Sequence, residues 1–264
     1  MVPVAGTWDQ GEAYERFMGR WSRLLAPEFL AWLGAPPGLR WAELGCGTGA
    51  LTASILDHAE PASIVAIDPA AGLLEVAAAH VTDPRVTFRE GSVEVFEDGA
   101  ADVLVSGLVL NFVPDPVEVV AAAARVAGTV AAYVWDYAGG VEMLSRFWDA
   151  ASEVAGHPVA ASEATTFAGF DATRLAEIWG EAGLRLVSTG TLAIEMVFDD
   201  LDDLWTPVLG GAGPAPAYVA TLDADTREHV RVAMTASLEQ ATDGRIRLPA
   251  RAWSVRGESR DRSR

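Results

Sequence analysis

"WAELGCGTGAL", Trp41 to Leu51, decides how the rest of the chain is read. Strand-like residues run from Trp41 to Leu44 into three glycines, Gly45, Gly47 and Gly49, and Ala50 opens a stretch of helical composition. Glycines between a strand and a helix let the backbone approach a ligand at the helix N-terminus. Gly45, Gly47 and Ala50 satisfy the G-x-G-x-x-G/A spacing of nucleotide-cofactor sites. The next strand, "SIVAID", ends on Asp68, 23 residues after Gly45. A carboxylate there accepts hydrogen bonds from two ribose hydroxyls, so a ribose-bearing cofactor is expected.

Outward from this loop, strands and helices alternate. Residues 12–33 read as a helix, with Tyr14, Phe17, Met18 and Trp21 at helical spacing, and "GAPPG" at 34–38 ends it. "RWAEL", "SIVAID", "RVTFRE", "ADVLVSG" and "TVAAYVWDY" read as strands. Helices are expected over Ala50–His58, over Gly72–Val81, and from Pro116, capped by Asp115, to about Val126. The strands are near-continuous apolar runs, as strands covered on both faces are. The fold class is therefore α/β, a Rossmann-like doubly wound sheet.

Beyond residue 137 the rhythm changes. "VEMLSRFWDAASEV" reads as a helix followed by a loop, "DATRLAEIWGEAG" as a capped helix, and "LRLVSTGTLAIEMVF" as a strand bent at Gly190. Residues 199–244 read as helices broken at "GGAGPAPA", and "RIRLPARAWSV" as a closing strand. The expected organisation is a cap of helices over 1–35 and a catalytic domain over 36–264, with lid insertions at 138–170 and 199–244. Ligands of open parallel sheets bind beyond the carboxyl ends of the strands, the face both insertions can cover. Trp8, Trp21, Trp148, Phe167, Phe170, Trp205 and Tyr218 concentrate in the cap and insertions, which suggests a lid for a small apolar or aromatic molecule.

Composition removes several function classes. The net charge is −18, with 37 acidic against 19 basic residues, a field that repels a phosphate backbone and argues against nucleic acid. Every basic residue is an arginine. Without lysine there is neither Schiff-base chemistry nor a Walker-type phosphate loop. A lone cysteine, Cys46, makes no internal disulfide and no cysteine-rich metal site. "DDLDD" at 199–203 reads as a helix start rather than a ligand set, and no metal is expected. The start, "MVPVAGTWDQ", lacks a secretory pattern, and "VLVSGLVLNFV" at 103–113 is too short to span a bilayer. A cytoplasmic protein with a small-molecule substrate, and no membrane partner, is expected.

Glu43 narrows the cofactor. A dinucleotide site keeps an apolar residue two places before its first glycine; here a carboxylate would meet the pyrophosphate and repel it. A cofactor with a cationic amino-acid end tolerates that acid. Together with "ELGCGTG", "AIDPA", "VTFREGSVEVF", "ADVLVSGLVLNFVPDP" and, less strictly, "YERFMGRWS", this makes the chain resemble class I S-adenosylmethionine-dependent methyltransferases of the small-molecule, type 11-like group. That group includes ubiquinone-biosynthesis and trans-aconitate methyltransferases. The motifs are strong over 40–137 and looser beyond.

The resemblance implies a seven-stranded, mostly parallel sheet with an antiparallel final strand beside the sixth. It implies S-adenosyl-L-methionine as cofactor and S-adenosyl-L-homocysteine as product. Gly45, Cys46 and Gly47 would border the methionine part, with Glu43 near its amino group. Asp68 would take the ribose hydroxyls and Pro69 would pack near the adenine, which Ser92 and Val93 would flank. Ser106 and Gly107 would approach the methionine end, and Tyr14 and Arg20 would reach the cofactor from the cap. Many relatives carry an acid where Ser92 stands, and a serine accepts more weakly.

Methyl transfer from a sulfonium is an in-line displacement that chiefly needs positioning and the exclusion of water. A base helps only for a protonated acceptor. Asp136 and Tyr137, after the fifth strand, and His157, in the first insertion, are the candidates. Two other readings share the loop: a cofactor-binding protein of this fold with a non-methylating role such as cyclisation, and a nicotinamide-dependent oxidoreductase, against which Glu43 speaks.

Overall fold

The computed structural model describes residues 18–210, 213–238 and 243–259. Its strands are β1 (Arg40–Leu44), β2 (Ser63–Asp68), β3 (Val86–Glu90), β4 (Ala101–Gly107), β5 (Ala127–Trp135), β6 (Arg185–Phe198) and β7 (Ile246–Glu258). They form one sheet in the order β3-β2-β1-β4-β5-β7-β6. The first five pair in parallel. β7 runs antiparallel between β5 and β6, beside the sixth strand as expected.

The helices are α1 (Arg20–Leu33), α2 (Ala50–His58), α3 (Ala71–His80), α4 (Pro116–Val126), α5 (Glu142–Ala155), α6 (Glu163–Thr166), α7 (Ala172–Glu181), α8 (Leu201–Trp205), α9 (Pro214–Thr221) and α10 (Ala224–Ala236). Each face of the sheet has its own core. In β5, Ala131, Tyr133 and Trp135 join the core that holds Phe29, Ile55 and Phe147, while Val130, Ala132 and Val134 join the one that holds Val120, Leu175 and Trp179. The period of two thus divides one unbroken apolar run between two cores.

Carboxylates start the helices where the sequence placed them. Asp115 accepts from the Glu118 N–H at 3.0 Å and Asp171 from the Arg174 N–H at 2.8 Å. In the acidic run, Asp200 accepts from the Asp203 N–H at 2.8 Å, capping α8. Among the described residues no group of three His, Cys, Asp or Glu could hold a metal ion, and no helix is long and apolar enough to cross a membrane.

Three expectations are corrected. The irregularity of β6 falls between Arg185 and Ser188, beside Leu186 at φ +49°, and not at Gly190. Gly190 serves a close approach instead: a Cβ there would lie 2.3 Å from Trp32 Nε1 on α1. The loop expected after α5 contains α6, capped by the Ser162 hydroxyl. Within "GGAGPAPA" only the first half is a break, because Pro214 opens α9 at a position where its missing N–H costs nothing; residues 211 and 212 lie outside the described residues.

One buried carboxyl bonds both insertions. Glu163, 4% exposed, accepts from the Trp148 indole N–H of α5 and, at 3.0 Å, from the Ala215 N–H in the first turn of α9. Burial pushes this carboxyl above its usual range, against the pull of both donors. The insertion aromatics pack mostly on one another: Trp148 lies 5.4 Å from Tyr218 and 4.9 Å from Phe147.

Candidate functional site

A cavity of about 400 Å³ opens at the carboxyl ends of β2, β1, β4 and β5. Its wall runs from Asp68, Pro69 and Leu73 through Glu43 and the 45–51 loop to Gly107–Val109, and ends on Phe112, Tyr133, Trp135 and Tyr137, with Met18 and Ser22 alongside. The aromatics that line it come from β5, the turn after it and the segment after β4. Of the insertion aromatics, Phe167 reaches the wall from behind, 4.9 Å from Phe112 and 5.0 Å from Tyr137. The expected aromatic lining from the insertions is therefore corrected: most of those rings are buried in the core.

The glycine loop is tied to the strand beside it. Gly45 and Cys46 both donate to the Ile67 carbonyl, at 2.8 and 2.9 Å. Gly47 donates to Asp68 Oδ2 and Ala70 to Asp68 Oδ1, each at 2.9 Å. Gly45, Gly47 and Gly49 sit at φ +72°, +53° and +85°, where a side chain is strained. Each Asp68 oxygen has a further acceptor site. Burial pushes this carboxyl above its ordinary range, and the two N–H bonds oppose that.

Glu43 is 1% exposed and accepts from the Thr52 hydroxyl at 2.5 Å. Burial pushes its carboxyl up to about 8, Thr52 draws it back, and the charge of Asp68 raises it further. The same burial, with both acids nearby, raises the Cys46 thiol, so this cysteine is a small protonated filler rather than a nucleophile.

The cost of burying Glu43 predicts a pH-dependent stability. The unfolded chain loses this proton near 4.5 and the folded chain near 8, so between these values the folded state holds more protons and stability falls as pH rises. Glu43→Gln, whose amide oxygen can still accept from Thr52, removes the penalty. The variant is expected to match the wild type at pH 4.5 and to exceed it at pH 8.5 by on the order of a few kcal/mol in urea unfolding. A gap independent of pH would show that Glu43 ionises as a solvated carboxylate.

The other candidate residues divide. Gly107 and Pro69 line the cavity; a Cβ on Gly107 would lie 2.6 Å from the Tyr133 hydroxyl. The Ser106 hydroxyl donates to the Leu44 carbonyl at 2.9 Å, fastening the ends of β4 and β1, and is not in the wall. Val93 is buried in the opposite core and the Ser92 hydroxyl donates to the Glu94 carboxylate; neither lines the cavity. Arg20 bonds Asp203 Oδ1 at 2.8 Å and lies over Trp21 and Phe198, held against the second insertion. Tyr14 lies outside the described residues.

Of the three candidate bases, Tyr137 alone reaches the wall. Asp136 is buried, ion-paired with Arg251 and bonded by the Ala138 N–H at 3.2 Å, and it is not in the wall. His157 is exposed, its Nδ1 3.2 Å from the Pro158 carbonyl, and it is not in the wall. Sequence reasoning missed Thr52, Phe112, Tyr133 and Trp135. Tyr133, Trp135 and Tyr137 recur every second residue, a signal that would have put three rings on one side of β5.

The wall therefore pairs a carboxylate suited to a diol with a buried carboxyl suited to an ammonium, behind a loop with space for a bulky ligand. That donor set fits a ribose-bearing amino-acid cofactor better than a pyrophosphate. A family model described as a methyltransferase domain matches residues 42–129. A ubiquinone biosynthesis O-methyltransferase of Hahella chejuensis is 35% identical over 105 residues; the match spans 38% of this chain and 43% of that relative. The YcgJ protein of Bacillus subtilis superposes with a TM-score of 0.54 at 15% identity, covering 92% of this chain and 99% of its own. Phosphoethanolamine N-methyltransferase 2 of Haemonchus contortus, solved with S-adenosyl-L-methionine, superposes at 0.55 and 15% identity, covering 96% of this chain and 58% of its own. At these identities the structural likeness is one of fold.

Proposed function

We propose that the chain, whose residues 42–129 match a methyltransferase-domain model, is an S-adenosylmethionine-dependent enzyme that methylates a small apolar or aromatic molecule. The observation that carries this reading is the meeting of Asp68, held by Gly47 and Ala70, with the buried Glu43 in one cavity. Bound there, S-adenosylmethionine supplies a methyl group on a positively charged sulfur, an activated leaving group.

In this reading Asp68 binds the ribose hydroxyls and Glu43 faces the amino group. Gly45, Cys46, Gly47 and Gly107 make room for the methionine part, and Pro69 packs near the adenine. Ser106 acts by fastening β4 to β1, and Arg20 by holding the cap on the second insertion. Ser92 and Val93 shape the adenine end from outside the wall. Phe112, Trp135 and Tyr137 exclude water from the acceptor, and the Tyr137 hydroxyl orients it. The cap and the insertions at 138–170 and 199–244 act as lid. The Hahella relative is named an O-methyltransferase, which supports oxygen as the acceptor atom here.

Calorimetry tests the premise. S-adenosylhomocysteine is expected to bind and NADH is not, because a pyrophosphate at the glycine loop would face the Asp68 carboxylate and a buried Glu43 carboxyl, with no cation in the described wall to balance it. Binding of NADH with none of S-adenosylhomocysteine would end the methyltransferase reading.

A further inference from the structure

The cavity crosses four adjacent strand ends, β2, β1, β4 and β5, a span of three strand spacings or about 14 Å. Charge and greasiness are distributed unevenly along it. The acidic side chains in the described wall are Glu43 and Asp68, both toward the β2–β1 end. The β5 end is formed by Phe112, Tyr133, Trp135 and Tyr137, whose polar atoms are two hydroxyls and an indole N–H.

Two arginines stand near that end in the chain, and each is committed elsewhere. Arg251 is paired with Asp136, the neighbour of Tyr137, and Arg20 with Asp203. Neither lines the cavity. No described basic side chain therefore meets an anion at the β5 end.

Resting on the methyl-transfer reading, we infer that this site selects an uncharged aromatic hydroxy compound and rejects its anionic analogue. S-adenosylmethionine carries one net positive charge, which the Asp68 carboxylate alone offsets. An acceptor carboxylate would leave water for a largely apolar wall with no cation among the described residues and with the Asp68 carboxylate beyond it, a costly transfer. An uncharged ring buries apolar surface against the four aromatic side chains instead, and its hydroxyl can meet those of Tyr133 and Tyr137.

A matched pair tests this: 4-methylcatechol and 3,4-dihydroxybenzoate, which differ by a methyl in place of a carboxylate. Each is titrated by calorimetry into the protein saturated with S-adenosylhomocysteine, and each is offered with methyl-tritiated S-adenosylmethionine. The neutral catechol is expected to bind and to be methylated with kcat/KM about a hundredfold above the benzoate, the scale of an unpaired buried charge. Phe112→Arg, which adds a cation to the wall, is expected to narrow that ratio about tenfold or more. Equal or better use of the benzoate overturns the inference. So does failure of both compounds while S-adenosylhomocysteine still binds, and that result leaves the cofactor reading standing. Loss of S-adenosylhomocysteine binding in the wild type sinks the reading beneath.

Discussion

Asp68→Ala is expected to weaken S-adenosylhomocysteine by about a hundredfold, 2–4 kcal/mol, in calorimetric titration. Two losses combine. The ribose hydroxyls lose their charged acceptor. The N–H groups of Gly47 and Ala70, each 2.9 Å from a carboxylate oxygen, lose the partner that orders the loop. Asp68→Asn separates these losses: its one oxygen keeps a single N–H bond, its amide faces a donor, and the negative charge is gone. It should fall between wild type and alanine. Unchanged affinity in the alanine variant would show that the ribose is held elsewhere.

Gly45→Ala is expected to remove S-adenosylhomocysteine binding and to destabilise the fold by about 2–4 kcal/mol in urea unfolding. The backbone sits at φ +72°, which costs a side chain about 1–2 kcal/mol. The added Cβ also lies 2.5 Å from Val109 Cγ2 and 2.9 Å from Cγ1. A valine is stiff at χ1 and cannot rotate both methyls away, so the loop or the segment after β4 must move, and both line the cavity. Val109→Ala in the same chain should recover the packing part and leave the backbone part. Full recovery in the double variant would show that the left-handed backbone carries no cost there.

The sheet and the glycine-loop end of the cavity were legible because their signals are local. Glycines at fixed spacing, an acid closing the next strand and a glutamate before the first glycine are read along one dimension. What escaped depends on partners remote in the chain. Asp136 looks like a free acid after a strand until Arg251, 115 residues on, is placed beside it. Arg20 looks available to a carboxylate until Asp203 takes it, 183 residues away. Trp148 and Tyr218 suggest a lining for the cavity, yet they meet each other, because aromatic composition does not say which way a helix turns its rings. Gly190 was expected to bend a strand, whereas it makes room for a tryptophan from α1.

The clasp at Glu163 bears on how anything enters the cavity. One carboxyl holds Trp148 from the first insertion and the start of α9 from the second, and the chain turns from it directly to Phe167, which backs the aromatic wall. Lifting either insertion alone strands the same buried group, which disfavours half-open forms. As a lid, the two insertions are therefore expected to open together, and hydrogen exchange in α5 and α9 should report one cooperative opening rather than two.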